Sequence, residues 1–201
     1  MNTRQHSLPV DLQACAQALL LRPEDSHKYD FGRVLVIGGC RAMAGAPALA
    51  GMAALRAGAG VVEIAVPESI ATTVAGFNPC LIVHALAEDA EGGFAAESLS
   101  GWQSLAQRAD VLVLGPGMGR ATHLEQAVLA LWQTFPRTLL VDADGLFALA
   151  SLPAEVLARP PGPRILTPHT GEMRRLSGSA PMQRTALEVE AQAYAKTRQA
   201  V

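Results

Sequence analysis

Aromatic residues make up only 4% of the 201-residue chain, and charged residues only 17%. With 16 basic and 18 acidic side chains the formal net charge is −2. That leaves no positive excess for a surface that tracks nucleic-acid phosphates. Cysteine is equally sparse: Cys15, Cys40 and Cys80 are far apart and odd in number. No pair has metal-ligand spacing, and a disulfide framework would be denser, so the pattern fits a reducing compartment. The apolar run at 12–21 is interrupted by Gln13 and Gln17, and no small-residue cleavage site follows it. It is too short to span a membrane and reads as a soluble helix of a cytoplasmic protein. Long polar tracts are missing too, and 50% hydrophobic residues exclude disorder. The motifs GxSxG, CxxC, HExxH, GK[ST] and GxGxxG are all absent. Serine-hydrolase, zinc-enzyme, Walker and dinucleotide-fingerprint readings therefore have no support.

What is present is rhythm. Short β-branched or Leu-rich runs alternate with longer Ala/Leu-rich stretches, and Gly or Pro stands at most junctions. The pattern predicts strands at 34–37, 61–66, 81–85, 111–114, 138–141 and 164–166. Helices are predicted at 47–57, 97–108, 124–134 and 146–150, with a short one from Glu172. Pro47 early in the first of these, and Gly58 and Gly60 beyond it, are the asymmetry of helix ends. Strands separated by helices imply βαβ crossovers and a mostly parallel sheet with both faces covered. The expectation is one three-layer α/β/α domain over 1–201. At its end, 185–201 reads as a helix with Leu187, Ala191, Tyr194 and Val201 along one face. A βαβ unit would next place a strand beside the last one. A terminal helix packed on the sheet and a chain cut before its last third are both compatible with this pattern.

In an open parallel sheet, ligands bind beyond the carboxyl ends of the strands. Four distinctive loops fall there. Gly38-Gly39-Cys40-Arg41-Ala42-Met43-Ala44-Gly45-Ala46-Pro47 follows the first strand. Its glycines allow close backbone approach to an anion, or simply a tight strand-to-helix turn. Gly115-Pro116-Gly117-Met118-Gly119-Arg120 forms a second Gly-rich loop. Asp142-Ala143-Asp144-Gly145 offers two carboxylates for Mg²⁺ or a sugar hydroxyl, although Asp144 is better read as a helix cap. Thr167-Pro168-His169-Thr170-Gly171-Glu172 brings a histidine to the same edge. Cys40 is more simply a small turn residue than a reactive thiol.

Together these segments resemble the ADP-dependent NAD(P)H-hydrate dehydratase family, a ribokinase-like branch of the small-molecule kinases. The resemblance is carried by 28–39, Met43-Ala44-Gly45-Ala46-Pro47, 53–60, Gly115-Pro116-Gly117-Met118-Gly119, Val141-Asp142-Ala143-Asp144 and 167–172, in the family's order. It implies a ribokinase-like α/β/α fold and repair of hydrated NADH or NADPH, with hydrolysis of ADP or ATP and a requirement for Mg²⁺. Partners implied are the NADH- or NADPH-hydrate and the nucleotide, with assembly into a homo-oligomer, a tetramer by resemblance. No nucleic-acid or membrane partner is expected. By position Ala46, Gly117 and His169 match the family's hydrate-binding residues, while Gly39, Gly45, Gly119, Asp142 and Glu172 are candidates to line the same site. Three departures stand out. Tyr29 occupies a usual glycine, and Phe147 a usual asparagine after Asp-Ala-Asp. The family's later Lys-Gly strand and Gly-Ser-Gly-Asp segment, which carry the anion hole and the catalytic Asp, have no match in 1–201. The expectation is thus a C-terminally truncated dehydratase, with the catalytic Asp beyond residue 201. A vitamin or sugar kinase of the same fold, or a non-catalytic nucleotide-binding module, are the alternative readings. The Thr-Pro-His-Thr-Gly-Glu segment favours the dehydratase over the kinase.

Overall fold

Runs such as Val34-Leu35-Val36-Ile37 and Val111-Leu112-Val113-Leu114 bury alternate side chains on opposite faces, which drives them into a sheet covered on both sides. A computed structural model describes residues 22–157, 159–179 and 183–201. The helix expected at 12–21 lies outside the described residues. The chain forms β1 (Arg33–Ile37), α1 (Gly45–Arg56), β2 (Val61–Pro67), α2 (Glu68–Phe77) and β3 (Ile82–Leu86). After a 3₁₀ turn come α3 (Leu99–Ala106), β4 (Val111–Leu114), α4 (Thr122–Thr134), β5 (Thr138–Val141) and α5 (Asp144–Ala150). Another 3₁₀ turn leads to β6 (Arg164–Leu166), α6 (Thr170–Ser177) and α7 (Arg184–Arg198). No described helix is long and apolar enough to cross a membrane.

The sheet order is β3-β2-β1-β4-β5-β6, and every adjacent pair is parallel. On one face Leu35, Leu112, Leu114 and Leu139 meet Trp102 of α3 and Leu124, Val128 and Leu131 of α4. On the other, Val36, Val62, Ile64 and Val66 pack on Ala48 of α1 and on Ile70 and Val74 of α2. At about 1.5–3 kcal/mol for each large apolar side chain fully buried, these two layers stabilise the fold without many aromatic rings. A buried carboxylate sits in the sheet itself. Glu63 is buried on β2, 2.6 Å from His84 Nε2, with Arg108 at 3.4 Å and Arg33 at 3.5 Å. A buried carboxylate persists only with such partners.

Two expectations need correction, and one helix has no counterpart in the sequence pattern. Helix α2 was not foreseen, because Thr72, Thr73 and Val74 are poor helix formers; Ile70 and Val74, four apart, bury together on the sheet and override that propensity. The helix expected at 97–108 is a 3₁₀ turn at Ala96–Ser98 followed by the shorter α3. Val201 does not extend the apolar face of α7. Gln199 adopts a left-handed conformation that ends the helix, and Ala200 then pairs in parallel with Arg164. The Leu166 amide donates to the Val201 carbonyl at 2.9 Å, and the Val201 amide to the Arg164 carbonyl at 2.8 Å. Leu187 and Tyr194 are buried as expected.

Arg164 has a second role. Its side chain is fully buried, and Nη2 donates to the Trp132 carbonyl at 2.5 Å and the Phe135 carbonyl at 2.8 Å. It thereby closes the C-terminal end of α4, where unpaired carbonyls favour a cation. Burial pulls its pKa down to about 10.

Candidate functional site

β1 lies between β2 and β4, so the chain leaves neighbouring strand ends toward opposite faces of the sheet. A crevice opens where this switch occurs. Its two walls are the loops after β1 and β4, and they touch. The Gly39 amide donates to the Pro116 carbonyl at 2.8 Å. Gly117 has φ of 66°, and a Cβ on it would lie 3.0 Å from the Met43 Cβ and 3.1 Å from the Ala46 Cβ. Only glycine fits there without displacing its neighbours. Between these loops and the start of α5 is a cavity of about 510 Å³. Met43, Ala46, Leu49 and Ala50 form one side, Pro116, Gly117 and Arg120 another, and Asp142, Ala143, Asp144 and Glu172 the rest.

The acidic side is held from within. Asp142 Oδ1 accepts from the Thr167 hydroxyl at 2.8 Å, joining the ends of β5 and β6. The Asp144 carboxylate accepts from the Gly119 amide at 3.1 Å and from Arg120 Nε at 3.0 Å. The expectation that Asp144 caps α5 is therefore corrected. Ala143 occupies the capping position, Asp144 is already the first helical residue, and its carboxylate reaches back to the Gly-rich loop. Ala143 has φ of 48° and ψ of −118°. The Gly145 amide closes the turn onto the Asp142 carbonyl at 3.0 Å. This geometry normally takes glycine, so an alanine there stores strain against the cavity wall.

His169 caps α6. Its Nδ1 accepts from the Gly171 amide at 3.0 Å and the Glu172 amide at 3.3 Å, while the His169 amide donates to Glu172 Oε2 at 3.0 Å. With Nδ1 an acceptor, the proton of the neutral ring sits on Nε2, which lies 3.3 Å from Glu172 Oε1. Thus the capping box also fixes the carboxylate of Glu172 on the cavity wall. His169 itself lines an adjoining groove of about 400 Å³ with Met173 and Leu187.

The structure therefore brings Ala46, Gly117, Asp142 and Glu172 together around one cavity and places His169 beside it. Gly39 is set back: its amide is used and its Cα faces Ile70 and Pro47. Gly45 begins α1, and Gly119 spends its amide on Asp144. Sequence reasoning missed Met43, Arg120 and Ala143 as wall residues. Their loops were already singled out, but nothing in the sequence pattern says which of their side chains face the cavity. The loop after β1 is anchored from outside. Arg41 donates to Glu88 at 2.7 Å, and the Ser69 amide donates to the other Glu88 oxygen at 2.7 Å. Hydrogen bonds from Ser69, and then from Arg41, hold the Glu88 carboxyl below the usual carboxylate range. Among the described residues, no three His, Cys, Asp or Glu side chains gather as a metal site.

The carbohydrate-kinase family model described as NAD(P)H-hydrate dehydratase matches residues 34–201. The chain belongs to the NAD(P)H-hydrate dehydratase family. It is 41% identical over 158 residues to the bifunctional NAD(P)H-hydrate repair enzyme Nnr of Salinibacter ruber, covering 78% of this chain and 29% of that protein. It is 34% identical over 165 residues to the ATP-dependent (S)-NAD(P)H-hydrate dehydratase of Physcomitrium patens, covering 75% and 47%. The chain thus spans less than half the length of these curated relatives. Among solved structures, the Bacillus subtilis ADP/ATP-dependent NAD(P)H-hydrate dehydratase, co-crystallised with ATP and Mg²⁺, superposes with a TM-score of 0.64 at 28% identity, over 88% of this chain and 57% of that one. A ribokinase-like superfamily protein from Enterococcus faecalis superposes at 0.67 with 25% identity, over 88% and 58%. The fold of this dehydratase-family chain is ribokinase-like.

Proposed function

We propose that this chain, as one ribokinase-like α/β unit, contributes the hydrate-binding part of a nucleotide-dependent NAD(P)H-hydrate dehydratase. The observation that carries the reading is the close approach of Ala46 and Gly117 at the strand-switch crevice, where a Cβ on Gly117 would come within 3.1 Å of the Ala46 Cβ. Two residues without bulky side chains leave backbone on both walls, and a flat ring can lie against it. Asp142 and Glu172 stand at the opposite wall, oriented by Thr167 and by the His169 cap. They can accept hydrogen bonds from hydroxyl and amide groups of the hydrated nicotinamide. His169, which lines the adjoining groove, offers a further polar contact.

The reaction in this reading is phosphorylation of the hydrate hydroxyl by ADP or ATP, followed by loss of phosphate and restoration of the ring double bond. Among the described residues no three metal-ligating side chains gather as a resident Mg²⁺ site, and both Asp144 oxygens already accept from Gly119 and Arg120. Mg²⁺ belongs with the nucleotide phosphates in this scheme, where it ordinarily keeps few protein ligands. No described residue is assigned as catalytic base. A cytoplasmic location and a tetrameric homo-oligomer belong to the same proposal.

The test is recovery of dihydronicotinamide absorbance from NADPH-hydrate with ADP, ATP or no nucleotide, alongside direct hydrate binding. Nucleotide-dependent recovery, or tight hydrate binding lost in a Gly117 variant, supports the reading. A chain that neither binds nor converts the hydrate overturns it.

A further inference from the structure

Phe147 carries two guanidinium groups on one ring. The Cζ atoms of Arg120 and Arg175 each lie 4.5 Å from its centroid. The three residues come from separate elements: the loop after β4, α5 and the last turn of α6. The two cationic centres can be no farther apart than twice that distance. Arg120 also lines the cavity and is neutralised by Asp144 at 3.0 Å. Arg175 is exposed, and no carboxylate among the described residues pairs with it. A basic residue in the last turn of a helix is ordinarily explained by the helix dipole. That account covers Arg174 and Arg175 alike, but it does not explain why Arg175 and Arg120 converge on one ring.

Stacking holds a guanidinium by its face and leaves its N–H edge to bond an oxyanion in bidentate fashion. Two like charges that share one ring, each 4.5 Å from its centroid, repel, and Asp144 offsets only one of them. An anion at the rim would relieve the remainder. A phosphate monoester carries about −1.5 to −2 charge near neutral pH, more than either phosphate of a diphosphate bridge, and so suits two forks better.

We propose that Arg120 and Arg175, stacked on Phe147, form a clamp for a phosphate monoester of the dinucleotide. In the function proposed above, on which this inference rests, that group is the 2′-phosphate distinguishing NADPH-hydrate from NADH-hydrate. The clamp gives the cavity a preference for the 2′-phosphorylated substrate.

Calorimetric titration of the full chain with NADP⁺, NAD⁺, 2′,5′-ADP and 5′-AMP tests this, in the wild type and in Arg175→Gln and Phe147→Leu. Thermal unfolding first confirms that each variant is folded. Wild-type protein is expected to bind NADP⁺ about tenfold or more tightly than NAD⁺, and each substitution to erase that ratio without weakening NAD⁺. Equal weakening of NAD⁺ and NADP⁺ overturns the monoester assignment in favour of the diphosphate. Unchanged affinities overturn the clamp. Arg175-dependent binding of 2′,5′-ADP without dinucleotide binding upholds the clamp and removes the dehydratase reading, whereas absence of all binding removes both.

Discussion

The Asp144 carboxylate accepts the Gly119 amide at 3.1 Å, fastening the start of α5 to the Gly-rich loop that follows β4. The same carboxylate binds Arg120, so one side chain sets both the backbone and the cation on that wall of the cavity. Asp144→Asn keeps the volume but removes the charge. It is expected to destabilise the fold by about 1–3 kcal/mol in denaturant unfolding, since a hydrogen bond to a buried charged group is lost. Weaker hydrate binding should accompany it. Unchanged binding would mean that the loop holds its shape without Asp144.

Ala143 stands at a position whose dihedrals suit glycine. Ala143→Gly should therefore raise stability by about 1 kcal/mol, within the usual 1–3 kcal/mol range for such strain and after the entropy glycine loses. Calorimetric melting measures it directly. A lowered melting temperature would show that the turn is held by its neighbours at no cost.

Gly117 and Gly119 form a matched pair, both at positive φ. A Cβ on Gly117 meets Met43 and Ala46, whereas one on Gly119 meets nothing within 4 Å. Alanine at either position should cost about 1–2 kcal/mol for the left-handed backbone. Only Gly117→Ala also narrows the crevice. Hydrate affinity should fall at least tenfold for Gly117→Ala and change little for Gly119→Ala; equal losses would locate the ligand elsewhere.

Glu88 links pH to the loop after β1. Its carboxyl titrates lower in the fold than in the unfolded chain, through Ser69 and then Arg41. The unfolded state therefore takes up a proton first as pH falls. The Glu88 contribution is complete above the unfolded carboxylate range and is lost as pH drops through the folded value. Glu88→Gln should flatten this part of the acid limb in stability measured against pH, leaving the alkaline limb unaltered. An acid limb identical to wild type would remove Glu88 as its source.

Strands were the most legible part of the sequence. The runs at 111–114, 138–141 and 164–166 correspond to β4, β5 and β6, because buried parallel strands are mostly apolar and end at turn residues, although β6 opens on Arg164. Helix α2 was opaque for the opposite reason: its local preference is poor and only the sheet beneath stabilises it. The gathering of four loops at one edge followed from the βαβ rhythm alone. What the loops do to one another did not. Asp144 reads as a cap when only its nearest neighbours are in view, yet its partners stand 24 and 25 residues earlier. Arg175 and Phe147 are likewise joined only by the packing of α5 against α6.

Arg164 faces two ways. Its backbone receives the strand-like residues after α7, and its side chain grips the last carbonyls of α4. Opening the side-chain attachment would leave a buried cation and a helix end unpaired, and opening the backbone attachment would strip the ladder from the strand that carries that cation. The margin of the sheet and the helix behind it therefore behave as a single cooperative block. Amide hydrogens of Leu166, Val201 and the final turn of α4 should exchange with solvent together, at a common free energy, rather than peeling outward residue by residue.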